Sequence, residues 1–211
     1  MARLHLFDLD GTLIRGSAAT VEISRQLGLL EEIGLLERDL ISGVIGPPQY
    51  AVRVHALWSG LTLEHVVAAF AASPWLTGIQ EVWRDIRERG EYCAVISLSP
   101  SFFVERLLGW GAHAAHGSRF PEVPFTKPVD PAGILSAASK VRVADQLCTE
   151  FGVGRDDCVA YGDSMSDVDL FGAVPLSVAV NADHLLAGLA TRVYTGGDLR
   201  EAYGLVCDDG V

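Results

Sequence analysis

Lysine is nearly absent from this chain. Two occur in 211 residues, Lys127 and Lys140, against fourteen arginines. Positive charge is scarce altogether: 16 Lys and Arg face 27 Asp and Glu, a net charge of −11. No basic run occurs, which argues against nucleic acid or an anionic membrane surface as partner. If the ligand is itself an anion, its charge must be met locally, by a metal or by one placed Lys or Arg. Long apolar runs are also missing. Val66–Ala72 is among the longest, far short of a membrane span. The N-terminal stretch carries Arg3, Asp8 and Asp10 and lacks the pattern of a secretory signal. The four cysteines, Cys93, Cys148, Cys158 and Cys207, form no CxxC pair and no zinc-type spacing with histidine. Cys93 and Cys158 lie in apolar, strand-like runs, so free buried thiols and a reducing cytoplasm are expected. The six histidines show no ligand spacing, and the four tryptophans are read as packing.

What is present is a large apolar fraction, 49% of residues, enough for one compact domain or one domain with a sizeable insertion. Residues 4 to 7 read as a buried strand. From Ser17 to Ala72 the pattern is helical, with apolar residues three and four apart, broken at Gly28 and Gly34. Pro47-Pro48 open a further helix, and Thr62 caps another. After Pro74 the rhythm changes. Helices are predicted over 79–89, from Pro100, over 137–151, over 168–173 and over 183–190. Strands are predicted over 92–97, 112–117, 157–164, 176–180 and 192–194. Residues 118–131 hold four prolines and read as irregular. Strands without internal polar alternation, separated by helices, predict an α/β fold with a Rossmann-like parallel sheet covered on both faces.

Ligands of open α/β sheets bind beyond the carboxyl ends of the strands. Three predicted strands end in polar residues there. The first ends Asp8-Leu9-Asp10-Gly11-Thr12, the second Ser97-Leu98-Ser99, the third Gly162-Asp163-Ser164-Met165-Ser166-Asp167. Lys140 lies near the start of the helix between the last two. Taken alone, Asp10-Gly11 is a hairpin signal, and Ser97 or Ser99 a helix cap. Taken together, the carboxylates favour a hard, oxygen-seeking cation such as Mg²⁺. The glycine-rich turns and the lysine favour an anion. A site offering both suits a phosphate ester.

With these residues in place, the chain resembles the haloacid dehalogenase (HAD) superfamily, and within it the phosphoserine phosphatase-like branch. "FDLDGTL" is similar to the DxDGT motif, "VISLS" to the Ser/Thr-ended second motif, Lys140 to the lysine motif, and "GDSMSD" to the GDxxxD motif. All four occur in the family's order. The resemblance implies a HAD-like core over 1–15 and 76–211, with a helical, C1-type cap over 16–75. It implies a phosphoric monoester hydrolase acting on a small-molecule phosphate ester, as a monomer or homodimer. Asp8 is then the nucleophile, forming an aspartyl-phosphate. Asp10 is the general acid and base. Asp8, the Asp10 carbonyl and Asp163 hold Mg²⁺, with Asp167 holding its waters or orienting Lys140. Ser97, Lys140 and the N–H groups of Gly11 and Leu98 bind phosphate. Ser166 stands where phosphoserine phosphatases often have Asn. The Glu that such enzymes use on the substrate amine falls at Ser17 or Ala18, and Glu22 comes about one turn too late. Arg53 is the counterpart of their cap arginine. The expectation is therefore a phosphatase whose substrate is not phosphoserine. Alternatives are phosphoserine phosphatase proper, phosphotransfer to another alcohol, or an inactive HAD-fold binding module. Retention of Asp8, Asp10, Lys140, Asp163 and Asp167 argues against the last.

Overall fold

The computed structural model describes residues 2–207. In chain order its elements begin with β1 (Leu4–Phe7) and two short extended pieces, β2 (Asp10–Gly11) and β3 (Ile14–Arg15). Four helices follow: α1 (Ala19–Leu27), α2 (Leu30–Ile41), α3 (Pro47–Leu57) and α4 (Leu63–Ala72). Next come α5 (Ile79–Glu88), β4 (Tyr92–Pro100), α6 (Ser101–Val104) and β5 (Ala114–Ser118). The chain closes with α7 (Ala137–Phe151), β6 (Cys158–Gly162), α8 (Val168–Ala173), β7 (Leu176–Val180), α9 (His184–Ala187), β8 (Arg192–Tyr194) and α10 (Leu199–Cys207).

Six strands form one parallel sheet in the order β5-β4-β1-β6-β7-β8. β1 is central, with Leu4 opposite both Tyr92 and Cys158. Its side chains alternate between two cores, as strand geometry requires. Leu4 and Leu6 pack with Ala94, Ile96, Leu147 and Phe171. Phe7 packs on the other face with Trp83, Val95 and Tyr161. Because all six strands run the same way, Asp8, Ser97 and Asp163 emerge at one edge of the sheet.

The helices α1 to α4 form an insertion between β1 and α5. Its two ends lie side by side. Arg15 N–H donates to the Pro74 carbonyl and Leu76 N–H to the Leu13 carbonyl, each at 2.9 Å. The insertion shares one continuous apolar cluster with the sheet, running from Ile23, Val54, Trp58 and Phe70 to Leu13, Ile79 and Trp83. Gly28 ends α1 in the left-handed conformation (φ 72°), as expected of a helix-stopping glycine. Gly34 does not break the chain: α2 runs through it. Thr62 caps α4 by accepting the His65 N–H. Pro100 ends β4 rather than opening a helix. α6 is one turn long and continues as a 3₁₀ helix over Glu105–Trp110. α10 was not among the expected helices. Its Leu199, Ala202, Tyr203 and Val206 are buried, at i, i+3, i+4 and i+7. No helix among the described residues is long and apolar enough to cross a membrane.

Candidate active site at the strand ends

Asp8 is the residue immediately after β1, and only 5% of it is exposed. Its N–H donates to the Tyr161 carbonyl at 2.9 Å, which continues the β1–β6 ladder one residue further. Its Oδ1 accepts from Lys140 Nζ at 2.5 Å. Lys140, in the first turn of α7, is wholly buried. Its ammonium has three protons and three partners: Asp8 Oδ1, Asp167 Oδ1 at 2.6 Å and Ser166 Oγ at 3.2 Å. Burial by itself would lower the Lys140 pKa, but the charges of Asp8 and Asp167 outweigh it and hold the pKa above its ordinary value. The lysine stays charged because two carboxylates require it.

Asp167 ties the Gly162–Asp167 turn together. Its Oδ1 takes Lys140, and its Oδ2 accepts the backbone N–H groups of Asp163 and Ser164 at 3.3 and 3.4 Å. Gly162 allows this fold-back, since a Cβ there would lie 2.4 Å from Asp167 Cγ. Of the two expected roles for Asp167, orienting Lys140 is the one visible in these contacts.

Asp163 meets the first motif across Gly11. Gly11 has φ +82°, and a Cβ on it would fall 2.0 Å from Asp163 Oδ2. Glycine is required there twice, for its conformation and for its missing side chain. Thr12, fully buried, donates its hydroxyl to Asp163 Oδ1 at 3.4 Å. The hairpin alternative for Asp10-Gly11 does not describe the structure, because β2 pairs with β3 in parallel register. The Gly11 N–H, expected on a phosphate, donates here to the Ser17 carbonyl at 2.9 Å.

Asp10 is held from two sides. Its Oδ1 accepts the Ala19 N–H at the start of α1 at 2.7 Å, and its Oδ2 accepts Ser97 Oγ at 2.8 Å. Ser97 Oγ in turn accepts the Ser99 N–H at 2.9 Å. Ser97 therefore positions Asp10 and the turn after it, and it does not cap a helix.

Carboxylate oxygens of Asp8, Asp163 and Asp167 all lie within 4.8 Å of one another. Three carboxylates around one ammonium leave negative charge unmet. Burial first, then the charge of Asp167, push the Asp163 pKa up to about 7. Burial likewise raises Asp8 well above the usual carboxylate range, against the pull of Lys140. An all-oxygen, electron-rich cluster with raised pKa values fits a hard divalent cation that displaces the protons.

Above these residues lies a cavity of about 390 Å³. Asp8, Asp10, Leu98, Ser99, Ser164 and Ser166 form its floor. The insertion supplies the roof: Ala18, Thr20, Glu37, Leu40, Ile41, Pro47, Tyr50 and Ala51. Pro100, Ser118, Phe120, Ile134 and Leu135 close the side. Two residues expected to read the substrate do not line it. The Ser17 hydroxyl donates to Glu22 Oε1 at 2.5 Å, and the Arg53 guanidinium pairs with Asp39 at 3.3 Å. Sequence reasoning did not single out Thr12, although it stands inside a quoted motif. Nor did it single out Thr20, Glu37 and Tyr50, which lie in helices whose apolar periodicity gives no sign of a shared site.

The family model for haloacid dehalogenase-like hydrolases matches residues 5–172. A phosphoserine phosphatase from Methanocaldococcus jannaschii is 26% identical over 202 residues, covering 94% of this chain and 95% of its own length. One from Archaeoglobus fulgidus is also 26% identical, over 89% of this chain, which spans only 55% of that relative's length. Among solved structures, a phospho-aspartyl intermediate analogue of phosphoserine phosphatase superposes with a TM-score of 0.81 at 25% identity. That match covers 97% of this chain and 99% of the other.

Proposed function

The chain belongs to the haloacid dehalogenase-like hydrolase family as a phosphoserine phosphatase-like phosphoric monoester hydrolase, and on that premise we propose an Mg²⁺-dependent phosphatase working through an aspartyl-phosphate on Asp8. Its substrate is a small-molecule phosphomonoester. One observation carries the reading: a lysine-clamped carboxylate, Asp8, lies on the floor of a roofed cavity beside a second carboxylate two residues on, held by separate donors.

In the first half-reaction an Asp8 carboxylate oxygen attacks phosphorus and the bond to the leaving oxygen breaks. The Lys140 ammonium on Oδ1 fixes the rotation of the attacking group. Asp10 gives its proton to the departing alcohol oxygen. The Ala19 N–H and Ser97 hydroxyl hold Asp10 toward the cavity for that transfer. In the second half-reaction Asp10 takes a proton from water, which attacks the aspartyl-phosphate and releases inorganic phosphate. Leu98, Ser99, Ser164 and Ser166 offer polar groups around the phosphoryl position. Asp8, Asp163 and Asp167, with the Asp10 carbonyl, are the donors assigned to Mg²⁺. When bound, the ion supplies positive charge that offsets repulsion between the carboxylate and the dianionic ester.

Residues 16–75 act as a cap over a core of 1–15 and 76–211, of which residue 1 and residues 208–211 lie outside the described residues. The adjoining chain crossings at Arg15–Pro74 and Leu13–Leu76 support that division. Four cysteines outside any disulfide support a cytoplasmic setting. The test is a phosphate-ester panel with Mg²⁺ and with chelator. Turnover that needs the metal and is lost in Asp8→Asn supports the reading; Asp8→Asn turning over like the unaltered enzyme overturns it.

A further inference from the structure

The roof of the cavity contains one feature that the chemistry on the floor does not use. Glu37, in α2, lines the cavity. Its Oε1 accepts the Thr20 hydroxyl from α1 at 2.9 Å and the Tyr50 hydroxyl from α3. One carboxylate oxygen thus ties three helices of the insertion together. The other oxygen, Oε2, accepts no hydrogen bond among the described residues. Burial and the neighbouring Glu37 charge hold the Tyr50 phenol far above its ordinary pKa, so Tyr50 remains a donor.

Apart from Thr20 and Tyr50, whose hydroxyls are taken up by Oε1, the roof that Glu37 shares is apolar, with Leu40, Ile41, Pro47 and Ala51, and Phe120 lies at the side. Among the described residues, no Arg, Lys or His lines the cavity. The buried Lys140 beneath is committed to Asp8, Asp167 and Ser166. A substrate carboxylate would find no cation here and would face Glu37. A wholly apolar alcohol would strip water from Glu37 Oε2 and return nothing, which is costly for a carboxylate. A donor on an otherwise apolar body avoids both penalties.

We propose that Glu37 determines specificity, and that the alcohol portion of the substrate is an apolar body without a carboxylate, carrying one amino or hydroxyl donor that reaches Glu37 Oε2. This rests on the phosphatase reading above. It names the substrate class that the reading left open.

The test measures kcat/KM with Mg²⁺ on matched phosphate monoesters of aminoalkanols, diols and plain alkanols of equal length, and on phosphoserine. The unaltered enzyme is expected to prefer a donor-bearing ester over the plain one by about tenfold or more, the worth of one well-made hydrogen bond to a charged group. Glu37→Gln is expected to erase the preference for an amine, mainly through KM, by weakening the amino ester and relieving the plain alkyl ester of the cost of desolvating a carboxylate. A hydroxyl can still donate to the Gln carbonyl, so a diol preference that weakens in Glu37→Gln and disappears in Glu37→Leu identifies the donor as hydroxyl, and one unchanged in both overturns the assignment of Glu37. Tyr50→Phe keeps the carboxylate, removes one of its holders, and is expected to weaken the same preference severalfold. Phosphoserine outrunning every other ester, or Glu37→Gln slowing all esters by one common factor, overturns the assignment of Glu37 and leaves the phosphatase standing. No metal-dependent turnover of any ester overturns both.

Discussion

On the floor of the cavity Asp10 is held by two donors, and just beneath it Lys140 is held by three acceptors. On the roof, Glu37 is a single carboxylate among leucine, isoleucine, proline and alanine, with one oxygen satisfied and one open. The difference follows from what each surface must do. The floor handles a phosphoryl group that is the same in every substrate, so each charge is fixed before the ester arrives. The roof meets the part that differs between substrates, so most of it is apolar and only one polar group selects. Changes to the floor should therefore slow all esters alike. Changes to the roof should alter which ester is preferred.

The largest effect is expected from Asp8→Asn, which keeps the shape and removes the nucleophile. Turnover of every ester should fall by roughly 10⁴-fold or more, as for other covalent nucleophiles. Lys140→Met comes next. It leaves Asp8 and Asp167 buried without their cation, and breaking such a buried pair costs about 3–5 kcal/mol. Denaturant unfolding should show that loss, and steady-state rates should fall for all esters equally. Gly11→Ala forces a Cβ into the place of the Asp163 carboxylate at a positive φ. Calorimetric titration with Mg²⁺ should show affinity lowered by about tenfold or more, whichever ester is used.

A smaller effect separates metal from proton on the floor. The raised Asp163 pKa means that the metal-free folded state keeps a proton that the unfolded chain has already lost. This group's contribution to stability therefore falls as pH rises from the ordinary carboxylate range through about 7. Asp8, also raised, has the same sign. A cation takes the proton's place, so the Tm gain on adding Mg²⁺ should be larger at about pH 8 than at about pH 6. A gain independent of pH would detach the metal from this cluster. The smallest effect belongs to the roof. Leu40→Ala should change the ranking of apolar esters by a few fold and leave the Mg²⁺ affinity of the floor unchanged.

The same contrast governs how much the sequence disclosed. β1 was legible because Leu4, Leu6 and Phe7 are followed at once by carboxylates, a pattern with few explanations at the end of a buried strand. The bounds of α7, α8 and β7 also match expectation. Asp8, Lys140, Asp163 and Asp167 meet because the parallel strands β1 and β6 end at the edge where α7 starts, and parallel topology follows from alternating elements. The roof was illegible for a physical reason. Thr20, Glu37 and Tyr50 sit on three successive helices, and only the angles between those helices bring them to one point. Helical periodicity fixes which face is apolar but not how helices cross. Gly11 was recognised as special for a different reason than the one observed: its missing Cβ makes room for Asp163. α10 was missed although its apolar spacing is regular, since nine residues containing Gly204 give a weak signal.

The central claim is that phosphate passes through Asp8, and trapping tests it most directly. The protein would be mixed with Mg²⁺ and a readily hydrolysed phosphomonoester, quenched within the first turnover, reduced with borohydride and mapped by peptide mass spectrometry. An acyl phosphate on Asp8 predicts homoserine at that position, and none when ester is omitted. Homoserine at another carboxylate, or an unmodified Asp8 while phosphate is released, would contradict the account.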